Sequence, residues 1–499
     1  MSRLLTAVVA AAMAGAVIVS PAAAAEGGGA VVRTDKGLVS GTVTSTYRTF
    51  GNIPFAAAPV GENRWRDPQP AAAWQGVRDA TRPAPICAQT SQLGMPASET
   101  EDCLYLNVTT PAGEARKPRP VMVWIHGGAF TAGAASQYDA RQLATKNDVV
   151  VVTVNYRLGV FGFFGHPGLP GSGTFGLADQ QAALKWVQRN ARAFGGNPGN
   201  VTVFGESAGG LSVTAQLASP RAGGLFAKAI IQSGPAGLTS PSPTEPGKLI
   251  HLWRSRTDTE NAGVGTLGCA DVACLRAQPV AKLLSVHEQF GLPSFDTAIL
   301  PIDPVVAQRT GRVHHVPTLV GTTHDEATLF AALIYPQPLP EATYRAQLAG
   351  LFGEAKADRV LAKYPVNGND DARDELAQVL TDASWACPTQ VARKELGRYA
   401  RVSGYEFADQ DVPLIFPLPP FPDYKAYHGS ELLMLFEFPG VTLSPQQREV
   451  SDYMLTAWGR FARTGDPGWR SDVQSLAPGA IKGTDFARDH RCGFWSSIL

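Results

Sequence analysis

An α/β fold with a central, mostly parallel β-sheet flanked by helices is predicted by three observations. Two apolar runs, at 121–125 and 149–159, lack the polar alternation of a sheet with one wet face. Such runs fit strands covered on both faces. Further short apolar runs end in turn residues, and helix-like stretches lie between them. Strand alternating with helix means parallel strands joined by crossover helices.

The elements follow in chain order. Residues 31–47 mix small, polar and apolar side chains and read as a pair of short strands. Residues 54–73, rich in proline, glycine and arginine, read as loop. In "PVMVWIHGGAF" the strand at 121–125 runs into glycines, and "VVVVTVNYRLG" supplies the second apolar strand. Residues 178–194 carry Ala182, Leu184, Trp186, Val187 and Phe194 at helical period and stop at Gly195-Gly196. A third strand at 201–204 leads into Ser207 and a helical segment. "FAKAIIQSG", "VPTLVGTTHDEA" and "GYEFAD" each read as a further strand. Residues 327–427 read as a largely helical insertion over the active-site face, its helices separated by proline-rich loops. Residues 451–463 read as a long amphipathic helix closed by "TGDPGW".

Bulk composition narrows the class. The 499 residues are 44% apolar and 17% charged, as in a folded protein. Lysine plus arginine and aspartate plus glutamate balance at 43 each, so no net field argues for nucleic acid or an anionic membrane. The first 25 residues look like a signal peptide: Arg3, an uncharged alanine-rich run at 4–19, Ser20-Pro21, then Ala23-Ala24-Ala25 before Glu26. The run is short and weakly apolar for a membrane anchor, and no cysteine follows it to carry a lipid. An exported chain with six cysteines favours disulfides. Spacing suggests Cys87 with Cys103 and Cys269 with Cys274, leaving Cys387 for Cys492. No C-x-x-C repeats beside a histidine, as a zinc site would need.

Chemistry concentrates in "VTVFGESAGG", residues 201–210. A serine hydroxyl is a weak nucleophile until a base takes its proton. A sharp strand-to-helix turn exposes its oxygen and needs small neighbours, here Gly205 and Gly209. The following helix aims its N-terminal amides at a developing oxyanion, with Ala208 the first donor. Further donors are expected from "HGGAF", residues 126–130, after the earlier strand. Among nine histidines, His428 in "AYHGSELLMLF" is the best base. It satisfies the chain order nucleophile, acid, histidine. His314 and His315 read as surface residues, His251 and His287 lie in helix-like stretches, and His166 precedes a proline. His324 beside Asp325-Glu326 is a weak metal pattern. Asp325 or Glu326, at the end of the strand that begins near Thr318, can orient the base, and spacing favours neither.

On these residues the chain resembles the type-B carboxylesterase and cholinesterase family of α/β-hydrolases. "YRTFGNIPFAAAPVGENRWRDP", "EDCLYLNV", "VWIHGGAF", "VTVNYRLGVFGFF" and the stretch from "GLADQQAALKW" to "FGESAGG" follow the family in order. So do "FAKAIIQSG", "GTTHDEATLF", "HGSELLMLF" and "LTAWGRFARTGDP". The resemblance implies an α/β-hydrolase fold over the mature chain, residues 26–499. It implies Ser207 as nucleophile, Glu326 rather than Asp325 as acid, and His428 as base. It assigns the oxyanion amides to Gly128, Ala129 and Ala208. Glu206 and Ser233 become supporting residues. Arg64 with Glu101 and Arg157 with Asp179 become structural ion pairs, and the three cysteine pairs above match the family's disulfides.

Two departures bear on substrate. Relatives that bind choline carry a tryptophan between the first two cysteines, where a cation can rest on its face. Here that loop is "AQTSQLGMPASETED", without an aromatic residue. Ala129 stands where relatives often have a third glycine, narrowing the acyl side. The sequons at Asn107 and Asn200 fall on expected strands and read as buried structure rather than glycosylation sites. The implied activity is that of a secreted serine hydrolase of small-molecule carboxylic esters, working through an acyl-enzyme with no metal or organic cofactor. A non-catalytic binding module is the rival from another class.

Overall fold

A computed structural model describes residues 29–241, 249–366 and 371–499. The leader expected at 1–25 lies outside the described residues. Eleven strands form the central sheet. In chain order they are β1 (Thr42–Val43), β2 (Tyr47–Pro54), β3 (Tyr105–Pro111), β4 (Arg119–Ile125), β5 (Val150–Val154) and β6 (Gly196–Glu206). β7 (Lys228–Gln232), β8 (Thr318–Thr323), β9 (Val402–Phe407), β10 (Val473–Leu476) and β11 (Lys482–Gly483) complete it. Across the sheet the order is β11-β10-β9-β8-β7-β6-β4-β5-β3-β2-β1. The strands from β10 to β5 in that order run parallel, and antiparallel strands close both edges.

The unalternating runs do what their composition requires. Every residue of β4 and β5 is buried. Successive side chains point to opposite faces, so Val121, Val123 and Ile125 enter one core and Met122 and Trp124 another. The first core is filled by Leu177, Leu184 and Val187 of α1 (Phe175–Asn190) and Leu211 and Val213 of α2 (Ala208–Ala218). α3 (Ala327–Ile334) follows β8. α4 (Pro445–Thr464) covers the other face with Met454, Trp458 and Phe461.

Several boundaries differ from the sequence reading, each for a local reason. The expected strand pair at 31–47 is split. Val31–Arg33 pairs with Leu38–Ser40 in a separate sheet that also takes Val77–Asp79, whereas β1 and β2 join the main sheet. β3 carries an alternating burial pattern and was legible only through the family motif. α4 starts before 451, because Ser444 and Gln447 form a capping box with Pro445 in the first turn. Within 327–427 the helices end at Leu396, and β9 joins the sheet. His251 lies on a short strand, not a helix. Asn107 and Asn200 are half-buried rather than buried. Asn107 Nδ2 donates to Thr153 Oγ1 at 3.1 Å, and Asn200 Oδ1 accepts from Lys228 Nζ.

The disulfides are Cys87–Cys103, Cys269–Cys274 and Cys387–Cys492, as the spacing suggested. The two expected ion pairs are present. Arg64 Nε donates to Glu101 at 2.7 Å. Arg157 meets Asp179 through its backbone amide, Nε and Nη2, in a pair only 3% and 0% exposed. Pairing of the two opposite charges is what makes such burial tolerable.

Candidate active site

The parallel strands gather their carboxyl ends at one edge, where α/β sheets hold ligands. β4 ends beside His126, β6 beside Ser207, β7 beside Ser233, and β8 beside the turn that carries Asp325 and Glu326.

Ser207 sits in the elbow between β6 and α2 with φ 58° and ψ −123°. A non-glycine residue there is strained by roughly 1–3 kcal/mol. The surroundings hold it: Ser207 N–H donates to Gln232 O at 2.9 Å. The flanking glycines are steric necessities. A Cβ on Gly205 would lie 2.6 Å from Ile125 O, and one on Gly209 would lie 2.0 Å from the same atom.

Opposite the elbow, the loop after β4 turns through Gly128 at φ 104°, Ala129 at φ 53° and Phe130 at φ 61°. A Cβ on Gly128 would meet Ala132 O at 2.2 Å. The backbone amides of Gly128, Ala129 and Ala208 donate to no acceptor among the described residues. Ser207, Gly128, Ala129, Glu206 and His428 line one cavity of about 140 Å³. Its other walls include Leu93, Met95, Leu329, Phe330, Ile415 and Phe438. The loop between the first two cysteines thus contributes aliphatic side chains there, not an aromatic platform.

His428 lies just before Gly429, whose φ of 81° opens the short helix Ser430–Met434. Its Nδ1 bonds Glu326 Oε2, and its Nε2, without a hydrogen bond among the described residues, faces Glu206. Glu326 is 0% exposed. Its Oε1 accepts from Thr322 Oγ1 and from Thr323 N–H, the latter at 3.0 Å. Burial alone would raise its pKa. The His428 imidazole and the hydroxyls of Ser233 and Thr322 outweigh burial and hold it below the ordinary value. Asp325 turns elsewhere, to His324 Nδ1 at 3.0 Å and Gln410 Nε2 at 3.0 Å. The structure therefore brings Ser207, Glu326 and His428 to one place and leaves Asp325 out.

Two further carboxylates surround the imidazole. Glu206 Oε1 is 3.1 Å from His428 Nε2. Burial pushes Glu206 up to about 7. Glu431, not anticipated from sequence, accepts from Gln232 Nε2 at 3.2 Å, and burial pushes it up to about 8. Burial alone would lower His428. The charges of Glu206, Glu326 and Glu431 outweigh burial and push it up to about 9, above the ordinary value of an imidazole. Phe330 and Trp385 also escaped the sequence reading. Their rings lie 5.0 and 6.1 Å from the imidazole, with Trp385 on a π-helical turn, Thr381–Ala386. Such turns often mark functional sites, but periodicity does not reveal them.

The other histidines are accounted for elsewhere. His126 stacks on Tyr156, and burial pulls it down to about 4. His287 bonds Thr131 O at 2.8 Å, and His314 bonds Ser219 O at 2.8 Å. His166 accepts from Gly168 N–H at 3.1 Å, and His315 stacks on Tyr399.

The chain is similar to known proteins over most of its length. A sequence model described as the carboxylesterase family matches residues 28–478. Para-nitrobenzyl esterase of Bacillus subtilis (strain 168) is 36% identical, covering 88% of this chain and 90% of its own. Cocaine esterase of Homo sapiens is 36% identical, covering 84% and 80%. A solved PNB esterase superposes with a TM-score of 0.76 at 33% identity, over 93% of this chain and 99% of that one.

Proposed function

Because this chain belongs to the carboxylesterase family and is a carboxylic ester hydrolase of α/β-hydrolase fold, we propose that it works through Ser207, Glu326 and His428 and is secreted. The observation that carries the catalytic reading is the joining of His428 to buried Glu326 through Nδ1, with its Nε2 beside Glu206 at 3.1 Å and the imidazole lining the same cavity as Ser207.

In this cycle His428 Nε2 takes the Ser207 proton as Oγ attacks the ester carbonyl. The amides of Gly128, Ala129 and Ala208 receive the tetrahedral oxyanion, each supplying about 3–4 kcal/mol of transition-state stabilisation. His428 then protonates the leaving alcohol and activates the water that releases the acid. Glu326 stays ionised, fixes the tautomer and stabilises the imidazolium. Glu206 and Ser233 support this set from either side. The cavity walls favour esters with uncharged, apolar groups. Export is supported by the three disulfides.

One experiment tests both parts. An organophosphate should add one equivalent at Ser207, read by mass spectrometry of the secreted protein, whose mature chain should begin at Glu26. A label elsewhere would remove the nucleophile assignment, and a retained leader would remove the export assignment.

The acid limb of activity carries a second prediction. Only neutral His428 accepts a proton, so kcat/KM rises with pH as the imidazolium is lost. Glu206 pushes the imidazole upward only while itself ionised. The limb should therefore be broad and centred above the reference value of about 6.5. Glu206→Gln removes that push and should move the limb toward lower pH. An unshifted limb in the variant, by pH-rate measurement, would refute this coupling.

A further inference from the structure

Away from the Ser207 cavity, three side chains from distant parts of the chain converge beyond the ends of β8 and β9. His324 follows β8, Glu406 lies in β9, and His490 belongs to the C-terminal segment tied down by Cys387–Cys492. One donor atom from each falls within 4.8 Å of the other two. Glu406 and His490 are each 2% exposed, and the His324 side chain is 40% exposed.

Each imidazole is oriented in the same way. His490 Nδ1 lies 2.6 Å from Asp382 Oδ1, and His324 Nδ1 lies 3.0 Å from Asp325 Oδ2. A carboxylate on Nδ1 fixes the tautomer that leaves the Nε2 lone pair available, the outer arrangement of histidine metal ligands. His490 Nε2 already sits 2.6 Å from Glu406 Oε1.

We propose that His324, Glu406 and His490 form a binding site for a divalent transition-metal ion, Zn²⁺ fitting best, that clasps the C-terminal segment to the sheet. Two imidazoles and one carboxylate suit zinc, whereas calcium and magnesium prefer all-oxygen shells. Tetrahedral bonds of about 2.0–2.1 Å place donor atoms about 3.4 Å apart. The Glu406–His490 contact therefore opens by less than about 1 Å on binding. The ion replaces the proton shared by His490 Nε2 and Glu406 Oε1, which passes to the buffer. Water completes the fourth position, and the exposed His324 marks the route of entry. The clasp braces the turn that also carries Glu326.

A proton is the competing occupant. Without metal, His490 bridges Asp382 and Glu406, and Asp382 also receives Tyr364 Oη at 2.6 Å and Arg491 Nη1 at 3.3 Å. The full-length protein, stripped with a chelator, would be titrated with ZnCl₂ by calorimetry and melted with and without the ion. One Zn²⁺ per chain and a raised Tm are expected. His324→Ala should weaken binding by more than about 100-fold, beyond the loss from removing an outer partner. His315→Ala, at an exposed histidine, should bind like the wild type. No zinc binding by the wild type, or equal affinity in His324→Ala, would leave a proton-bridged ion network and overturn the site.

Discussion

Ser207→Ala is expected to lower kcat/KM by about 10⁶-fold, the scale of loss when the nucleophile of a serine triad is removed. Tm should stay within a few degrees of the wild type. The Ser207 side chain makes no capping bond to α2. Alanine adds no atom to the elbow, and the bond from residue 207 N–H to Gln232 O is a backbone one. Rates on p-nitrophenyl esters and a thermal melt check both halves. Near-full turnover by the variant would end the serine mechanism. A large fall in Tm would mean that the activity loss reports folding instead.

Glu326→Gln is expected to cost about 10⁴-fold in kcat, as when the orienting carboxylate of a serine triad becomes an amide. The amide can donate to Nδ1 and favour the wrong tautomer. It also removes the charge that stabilises the imidazolium. Asp325→Asn is the informative partner, because Asp325 binds His324 and Gln410 rather than His428. It should lose far less kcat. Equal losses from the two substitutions would contradict the assignment of the acid. Steady-state kinetics at several pH values separates a lost acid from a shifted imidazole.

Much of this site is legible in the chain because its chemistry is local. Gly205, Ser207 and Gly209 lie within five residues, and the steric demand of the elbow is written in them. The glycine loop after β4 is equally local, with Gly128 placed where a Cβ would strike Ala132 O. The buried strands announce themselves through unbroken apolar runs, since β4 and β5 meet a core on each face. Asp325 and Glu326 were not separable by spacing. They are adjacent in sequence, and which one faces His428 depends on where the turn after β8 points each side chain. Glu431 was missed because its role comes from burial beside Glu206 and Glu326, which no spacing encodes.

By itself, the sequence determined the α/β architecture, the serine elbow and the glycine loop opposite it. Each depends on residues a few positions apart, whose backbone and packing demands are local. Only the tertiary structure decided how carboxylates distribute around imidazoles. It set Glu326 on His428, with Glu206 and Glu431 close by, and it joined His490 to Glu406 and Asp382. Those partners are separated by up to 222 positions, as Glu206 is from His428. Their charge states follow from shared burial at the strand ends, a property that exists only once the sheet has formed.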